Sequence, residues 1–415
     1  MKLLVLSPVF PDAPSDGDRL RLYHWIRELG LRHEVHLACL ANPARPADFS
    51  AGGLAGRLRS VHRVPWPLWR RRVSAGAGLL AGEPEGVADA SSARMRTLVD
   101  ALLSGQGRPA AAGRGPFDAV LAYRLKMAPY ALRFRGPRFL DYTDCMTRYT
   151  ERRAAALALE GRGLQAAYQR RKAERLAAFE AWCAGHFDAG FVNSGQDCAT
   201  LRAMNPSAAA ALRVAANGVD AAALAPPRAG RPPRDPRSLL FVGHLAYPPN
   251  ADAAEWFARR VLPLVRAAEP VATFTIVGGD APPRVAALAA LPGVRLAGFA
   301  PDTRPHLWAA GLGVCPVRSG AGRQNKLLEA FAAGLPSVAT SLAASGAEAR
   351  DGRELLVADA APDFARAVLD LLRRPALGRA LAARALALVR RRYAWPDNAA
   401  VLERAMLEAT RAPLW

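Results

Sequence analysis

The chain of 415 residues has few cysteines, few lysines and no long apolar run. Its five cysteines are scattered, odd in number and without CxxC spacing, which argues against a zinc site and for reduced thiols in a cytosolic compartment. Since no run of about 18 apolar residues occurs, no membrane-spanning helix is expected. The first residues, Met1–Ser7, are too short for a signal peptide and are expected to form a buried strand. The sequence therefore favours a cytoplasmic globular protein.

Positive charge is abundant, and nearly all of it is arginine. The formal net charge is +20, yet only four of the 56 basic residues are lysines. An excess of arginine and alanine is as typical of a GC-rich genome as of selection for an anionic partner. The sequence has no zinc-finger spacing, no aromatic–glycine RNA-binding signature and no basic leucine zipper, so no nucleic acid partner is expected.

One basic segment suits a membrane surface. Trp66 and Trp69 lie beside the arginines at 70–72, and tryptophan with arginine is typical of a bilayer interface. A second basic run occupies 170–175. Peripheral contact with an anionic membrane, at the inner face of the cell membrane, is therefore one hypothesis. A packed loop followed by a solvated helix face is the alternative.

Short apolar runs alternate with helical stretches along the chain, which is typical of a parallel α/β protein. In the first half, strands are predicted at Leu3–Leu6, Glu34–Leu40, Ala119–Tyr123, Arg138–Asp141 and Ala189–Ser194, and helices at Gly17–Leu29 and about 150–184. In the second half, strands are predicted at Ser238–Gly243, Phe274–Gly279, Val294–Gly298, Gly313–Pro316 and Ser337–Thr340, and helices at about 250–267 and 395–411. The pattern predicts two doubly wound, Rossmann-like domains that face each other across a cleft, with ligands at the carboxyl ends of the strands.

A proline-rich stretch, Pro226–Pro236, is the clearest linker. The predicted organisation is an N-terminal Rossmann-like domain at 1–222, a linker at 223–237, a C-terminal Rossmann-like domain at 238–392 and a helical segment at 393–415.

The most informative segment is 320–336, which predicts a glycine loop, a helix and a sharp end. Gly320 and Gly322 free the backbone to turn tightly and to present its N–H groups to a ligand. Asn325–Ala333 is helix-forming, and the following Gly-Leu-Pro ends the helix.

Lys326 and Glu329 are three residues apart, so they share a face near the start of this helix. A helix N-terminus with a lysine is suited to a diphosphate, and a carboxylate one turn further along could bind two neighbouring hydroxyls, such as those of a ribose. This pattern favours a nucleotide-sugar site. An ordinary loop–helix–strand corner with a solvated Lys–Glu pair fits the same residues.

The ordered motifs resemble the GT-B glycosyltransferases of family GT4, a retaining group. The matching segments are Asp16–Arg19, Asn217–Asp220, Phe241–Gly243, Ile276–Gly279, Val294–Phe299 and Lys326–Pro336, which together span most of the chain. More narrowly, Tyr247–Asn250, Trp256–Phe257 and Gln324–Lys326 are similar to the exosortase-associated (PEP-CTERM) sugar transferases of bacterial exopolysaccharide loci.

The resemblance implies a hexosyltransferase-like enzyme that moves a sugar, with retention, from a nucleotide-diphosphate sugar to a glycan or lipid-linked acceptor in exopolysaccharide biosynthesis. It implies no cofactor and no metal, because positive charge and helix dipoles stabilise the leaving diphosphate. It also implies no fixed protein nucleophile.

The resemblance further assigns roles to residues. Glu329 would hold the donor ribose and Lys326 the diphosphate, while Gly17 would let an N-terminal loop approach the donor phosphate. The implied donor-binding residues are Gly17, Gly243, His244, Gly298, Phe299, Gly320, Gly322, Arg323, Gln324, Asn325, Lys326 and Glu329, and the catalytic candidates are Lys326, Glu329 and Asp141. Asp141 and Asp144, at the end of an N-terminal strand, are candidates for acceptor binding, with helix capping as the alternative.

Two positions depart from the family pattern. Ala321 stands where most GT4 enzymes carry a second glutamate, and only His244 stands near the usual basic pair of the first strand of the second domain. Arg318 and Arg323 are possible substitutes for the missing charge. The departures leave two other functions open: a non-catalytic nucleotide-sugar-binding partner of a polysaccharide assembly, or a GT-B nucleotide-sugar epimerase.

Overall fold

A computed structural model describes most of the chain, in two compact units. The described residues are 1–11, 17–45, 52–80, 82–104, 116–159, 161–227, 233–320 and 324–411. The first unit comprises Met1–Ala216 and Trp395–Trp415, and the second comprises Asn217–Ala394. The division thus falls just before the predicted boundary at 222, and the predicted C-terminal segment 393–415 belongs almost wholly to the first unit.

The described part of the first unit is built on a seven-stranded parallel sheet in the order β3-β2-β1-β4-β5-β6-β7. The strands are β1 Lys2–Ser7, β2 Glu34–Ala41, β3 Ser60–Pro65, β4 Ala119–Tyr123, β5 Arg138–Thr143, β6 Ala189–Val192 and β7 Leu212–Val214. The central strands are apolar on both faces because helices cover both sides of the sheet.

The helices of the first unit include the chain's last helix. They are α1 Gly17–Leu29, α2 Leu68–Leu80, α3 Glu85–Ala88, α4 Ala93–Leu103, α5 Ala128–Ala131, α6 Met146–Leu159, α7 Gly163–Ala184, α8 Gly195–Met204 and α18 Trp395–Arg411. Trp395 and Leu402 of α18 pack in the same core cluster as Leu22 and Trp25 of α1, which is why the final segment joins this unit.

The described part of the second unit holds a six-stranded parallel sheet in the order β10-β9-β8-β11-β12-β13. Its strands are β8 Asp235–Val242, β9 Thr273–Val277, β10 Val294–Gly298, β11 Ala310–Cys315, β12 Ser337–Ala339 and β13 Leu356–Val357. Its helices are α9 Ala221–Leu224, α10 Pro248–Trp256, α11 Leu262–Ala268, α12 Pro283–Ala286, α13 Arg304–Ala309, α14 Asn325–Ala332, α15 Ser341–Gly346, α16 Ala361–Arg373 and α17 Pro375–Arg392. The prediction of two doubly wound α/β domains is confirmed.

Two predicted helices differ from the observed ones. The single helix expected at 150–184 is a hairpin of α6 and α7, because Gly161 adopts a positive φ of 73° between them. The helix expected at 250–267 contains a π-helical turn at Phe257–Val261, between α10 and α11. No described helix is long and apolar enough to cross a membrane.

Candidate functional site

The second sheet has a topological switch point between β8 and β11. From β8 the chain order runs to β9 and β10 on one side and to β11 and β12 on the other. In such sheets, ligands bind at the carboxyl ends of the strands where the order reverses. Gly243 and His244 directly follow β8, Gly298 ends β10, and α14 follows β11, so three predicted donor-binding stretches lie at this edge of the sheet.

Glycine permits the close packing of this edge. A Cβ at Gly243 would lie 2.9 Å from Asn250 Nδ2 and 3.3 Å from Lys326 Cε, and a Cβ at Gly278 would lie 1.9 Å from the Gly243 carbonyl oxygen. A side chain at Gly278 therefore requires the backbone to move. Asn250 also donates through Nδ2 to the His244 carbonyl at 2.9 Å, which fixes the turn after β8.

The first turn of α14 is held in place by its own residues and by Asn217. Lys326 Nζ donates to Gln324 Oε1 at 2.8 Å, and Asn217 Nδ2 donates to Asn325 Oδ1 at 3.3 Å. No described side chain caps the helix at Gln324. Leu327, Leu328 and Phe331 are buried and anchor the helix to the sheet. The helix therefore presents its positive dipole end and a lysine at the edge where ligands bind.

Lys326 and Glu329 are both half-buried on α14, and burial shifts both groups towards neutrality. Burial lowers the pKa of Lys326, against the opposing effects of Cys315 and Glu329. Burial raises the pKa of Glu329 to about 7, although the Lys326 charge acts in the opposite direction. Lys326 also lines a small cavity, together with apolar residues of β8, β11 and α14.

The other residues predicted in the second unit lie at the same edge or outside the described residues. His244 Nδ1 is 3.6 Å from Asp280 Oδ2, with both side chains exposed. Phe299 is 71% exposed and borders Gly279. Gly320 has a φ of 114° and lies beside Pro249, at the start of α10. The predictions for Ala321, Gly322 and Arg323 fall outside the described residues.

Arg318, a proposed substitute for missing positive charge, is held by α10. Its Nη2 donates to Asp252 Oδ1 at 2.9 Å, and its guanidinium lies 5.2 Å from the centre of the Trp256 ring. The sequence alone assigned no role to Asn217. Asn250 was noticed only as the last residue of the Tyr-Pro-Pro-Asn motif at 247–250.

In the first unit, the structure corrects the role predicted for Asp141. Its side chain has no exposed surface and forms an ion pair with the equally buried Arg21, whose Nε lies 2.6 Å from Asp141 Oδ2. Arg21 also donates to the Ala215 carbonyl at 2.6 Å, and the Thr143 backbone N–H donates to Asp141 Oδ1 at 2.8 Å. Asp141 therefore joins α1, β5 and the end of β7 rather than facing an acceptor. Gly17 is the first residue of α1.

The surroundings of Asp144, the other predicted candidate for acceptor binding, differ from those of Asp141. Asp144 is half-buried, its Oδ1 is a buried atom without a hydrogen-bond partner among the described residues, and burial together with Asp197 raises its pKa to about 6. The adjacent Thr143 has a φ of 66°, and Arg124, after β4, has a φ of 68°. Such backbone strain in residues other than glycine is concentrated at functional sites. No sequence signal marked Arg124.

Comparison with known proteins agrees with the geometry. Residues 236–374 match a family model described as glycosyl transferases group 1. No curated protein sequence matches the chain. Among solved structures, HepE from Anabaena in complex with UDP is 14% identical to this chain, with a TM-score of 0.64. The alignment covers 98% of this chain and 100% of that chain. Sucrose-phosphate synthase from Thermosynechococcus elongatus is 16% identical, with a TM-score of 0.70, and the alignment covers 98% of this chain and 99% of that chain.

TarM of S. aureus, in a mutant form whose complex contains UDP, is 10% identical, with a TM-score of 0.65 and 99% and 100% covered. These likenesses extend over both units and confirm the expected GT-B fold. The family match covers about a third of the chain and contains the whole edge formed by β8, β10 and α14. Residues 236–374 are thus a glycosyl transferases group 1 domain, and at the level of this domain the expected enzyme class, glycosyltransferase, is confirmed.

Proposed function

We propose that the chain is a retaining glycosyltransferase that moves a sugar from a nucleotide-diphosphate sugar to a glycan or lipid-linked acceptor. The observation that carries this proposal is the Lys326–Glu329 pair, half-buried at the start of α14 and inside the matched segment 236–374. HepE forms complexes with UDP and with UDP-glucose, which supports a nucleotide sugar as donor here and makes UDP-glucose a suitable first probe.

In the proposed reaction, the α14 N-terminus binds the diphosphate and Lys326 lies beside it. Negative charge develops on the diphosphate as the bond to the sugar breaks, and a fixed ammonium with a helix dipole stabilises that charge without a metal ion. Glu329, one turn further along, accepts hydrogen bonds from the ribose hydroxyls in its ionised form. Gly298 and Phe299 border the base, and Gly243 leaves room for the lysine side chain.

On the acceptor side, we assign acceptor binding to Asp144, the second of the two aspartates for which the sequence predicted that role. Asp144 offers a buried oxygen without a described partner, beside strained backbone at the carboxyl edge of β5. An acceptor hydroxyl is a suitable donor to that oxygen. The cellular role proposed from the motifs is exopolysaccharide assembly of the exosortase-associated kind, at the cytoplasmic face of the membrane.

The proposal is tested first by thermal shift with a panel of nucleotide sugars, since a ligand that binds the folded state raises the melting temperature. Transfer is then measured with the sugar that shifts the protein most. Lys326→Met is expected to lower transfer roughly ten- to hundredfold, as expected for loss of a charged hydrogen bond. Lys2→Met, a change of the same kind at an exposed residue, is the control.

Binding without transfer to any glycan or lipid-linked acceptor would favour the non-catalytic alternative. Interconversion of the nucleotide sugar without transfer would favour the epimerase. Equal transfer by Lys326→Met and the parent would refute the assignment of the site.

A further inference from the structure

The α6–α7 hairpin ends in two leucines that are almost fully exposed. Leu159, the last residue of α6, and Leu164, near the start of α7, are each 91% exposed, more than any other large hydrophobic residue that the structure describes. Tyr168, one turn further along α7, is 50% exposed. Behind these residues the two helices pack against each other, and buried side chains such as Leu157 on α6 and Leu176 on α7 lie away from solvent. The leucines therefore project from a helix pair whose own core is already closed.

Positive charge surrounds this apolar end. The hairpin segment 151–175 contains seven arginines and lysines against three glutamates. Arg171 and Arg175 continue the face of α7 that begins with Leu164 and Tyr168, at intervals of three and four residues. The side chains of Arg153, Arg170 and Arg175 are exposed. An apolar end with a basic flank is the pattern of a segment that enters the interface of an anionic bilayer.

We propose that the α6–α7 hairpin end, defined as Leu159 and Gly161–Leu164, docks the protein on a lipid bilayer with anionic head groups. The leucines enter the boundary between head groups and acyl chains, and the flanking arginines bind the lipid phosphates. This inference rests on the proposed function in one respect, since a lipid-linked acceptor would lie at that surface. A second copy of the chain is the poorer occupant, because it would bring two positively charged ends together.

The α6–α7 hairpin end is a different surface from the Trp66–Trp69 segment that the sequence suggested for membrane contact. Trp66 is buried at 8% exposure and donates through Nε1 to the Asp89 carbonyl at 3.0 Å, so it does not serve as a membrane anchor. Trp69, on α2, is 61% exposed and is stacked by Arg70. Trp69 on α2 is therefore the alternative membrane anchor against which the two leucines are compared.

The experiment is co-sedimentation with vesicles of phosphatidylcholine alone or with added phosphatidylglycerol. Binding is expected only to the anionic vesicles and is expected to weaken with salt. Replacing both leucines, Leu159→Ser with Leu164→Ser, should weaken binding on the order of a hundredfold, given roughly tenfold per buried leucine. Arg170→Gln with Arg175→Gln should weaken it about fivefold per charge.

Leu31→Ser with Val271→Ser, two exposed apolar residues elsewhere, is the matched control and should bind as the parent does. Parent-like binding by the leucine variant, or loss of binding in Trp69→Ser alone, would overturn the assignment of the hairpin. A change in oligomeric state rather than in vesicle binding would do so as well. Thermal shift with UDP-glucose on the same variants keeps the two proposals apart, because a failed donor site abolishes that shift and leaves vesicle binding intact.

Discussion

Donor binding should depend on pH through Glu329. Burial raises the pKa of this carboxyl to about 7 in the ligand-free protein, so near neutral pH it is only partly ionised. The proposed contact with the ribose hydroxyls needs the ionised form, which can accept two hydrogen bonds. The fraction of binding-competent protein therefore rises with pH across the neutral range.

The size of the effect follows from that pKa. With a pKa of about 7, the ionised fraction is about one tenth at pH 6 and about nine tenths at pH 8, and the apparent dissociation constant varies inversely with that fraction. Donor affinity should thus rise about tenfold from pH 6 to pH 8. At higher pH it should fall again, because burial lowers the pKa of Lys326 and the ammonium loses its proton earlier than an exposed lysine does.

Isothermal titration with UDP-glucose measures this dependence cleanly, because its diphosphate has no free terminal phosphate group to titrate near neutral pH. Glu329→Gln should bind more weakly at pH about 8 and should lose the rise with pH, since its amide does not ionise. Glu408→Gln, at an exposed carboxyl in the first unit, is the control. A parent profile that is flat across this range, or one that Glu329→Gln retains, would refute the assignment of Glu329 to the ribose.

Four further outcomes are expected. In the absence of donor, the stability that comes from the raised pKa of Glu329 is present at acid pH and is lost as pH rises through about 7. Glu329→Gln does not lose this stability, so in thermal melts its free energy of unfolding should rise relative to that of the parent by at most about 3 kcal/mol between pH 4.5 and 8. Asp141→Asn should lower the free energy of unfolding by roughly 3–5 kcal/mol in urea titrations, because it leaves Arg21 buried without its ion-pair partner, and an unchanged value would contradict the structural role. Transfer should persist in excess EDTA, and activity that is lost and then restored by magnesium or manganese would contradict a metal-free site. Lys326→Arg should retain less than a tenth of the parent transfer rate, because the wider guanidinium loses roughly one charged hydrogen bond to the donor. Full activity of this variant would mean that positive charge alone suffices.

The central strands of this fold were predictable because they are buried on both faces. Ala119–Tyr123 is buried along its whole length and is observed with the predicted ends, since a short apolar run bounded by turn residues leaves few alternatives. Val294–Gly298 also has the predicted ends, although it is an edge strand in which Arg295 and Ala297 are exposed. The helix at 150–184 was predicted as one element because the whole stretch is rich in alanine and arginine. Only the three-dimensional structure shows the turn at Gly161, where a positive φ separates two helices that pack against each other.

The geometry of the candidate site was predictable where its residues lie close together in the sequence, and not where the contacting residues come from distant positions. Lys326 and Glu329 lie one turn apart on one helix, so their spacing already placed them on a shared face. Asp141 could not be told from Asp144 in this way, because the distinction depends on Arg21, which is 120 residues away and is buried with Asp141. Ion pairs between remote elements leave no local pattern in a single sequence.

The distribution of lysine supports the choice of Lys326 over the many arginines nearby. Of the four lysines in the chain, Lys326 is the one that falls within the second unit. Its side chain runs past Gly243, where a Cβ would already lie 3.3 Å from Cε, and its ammonium lies 5.7 Å from the centre of the Phe241 ring. A planar guanidinium is wider than an ammonium and presents a fixed fork of donors rather than a compact charge. In a protein that uses arginine almost everywhere else, a lysine in this confined place is best explained by a ligand that needs a compact charge there, and a donor diphosphate is such a ligand.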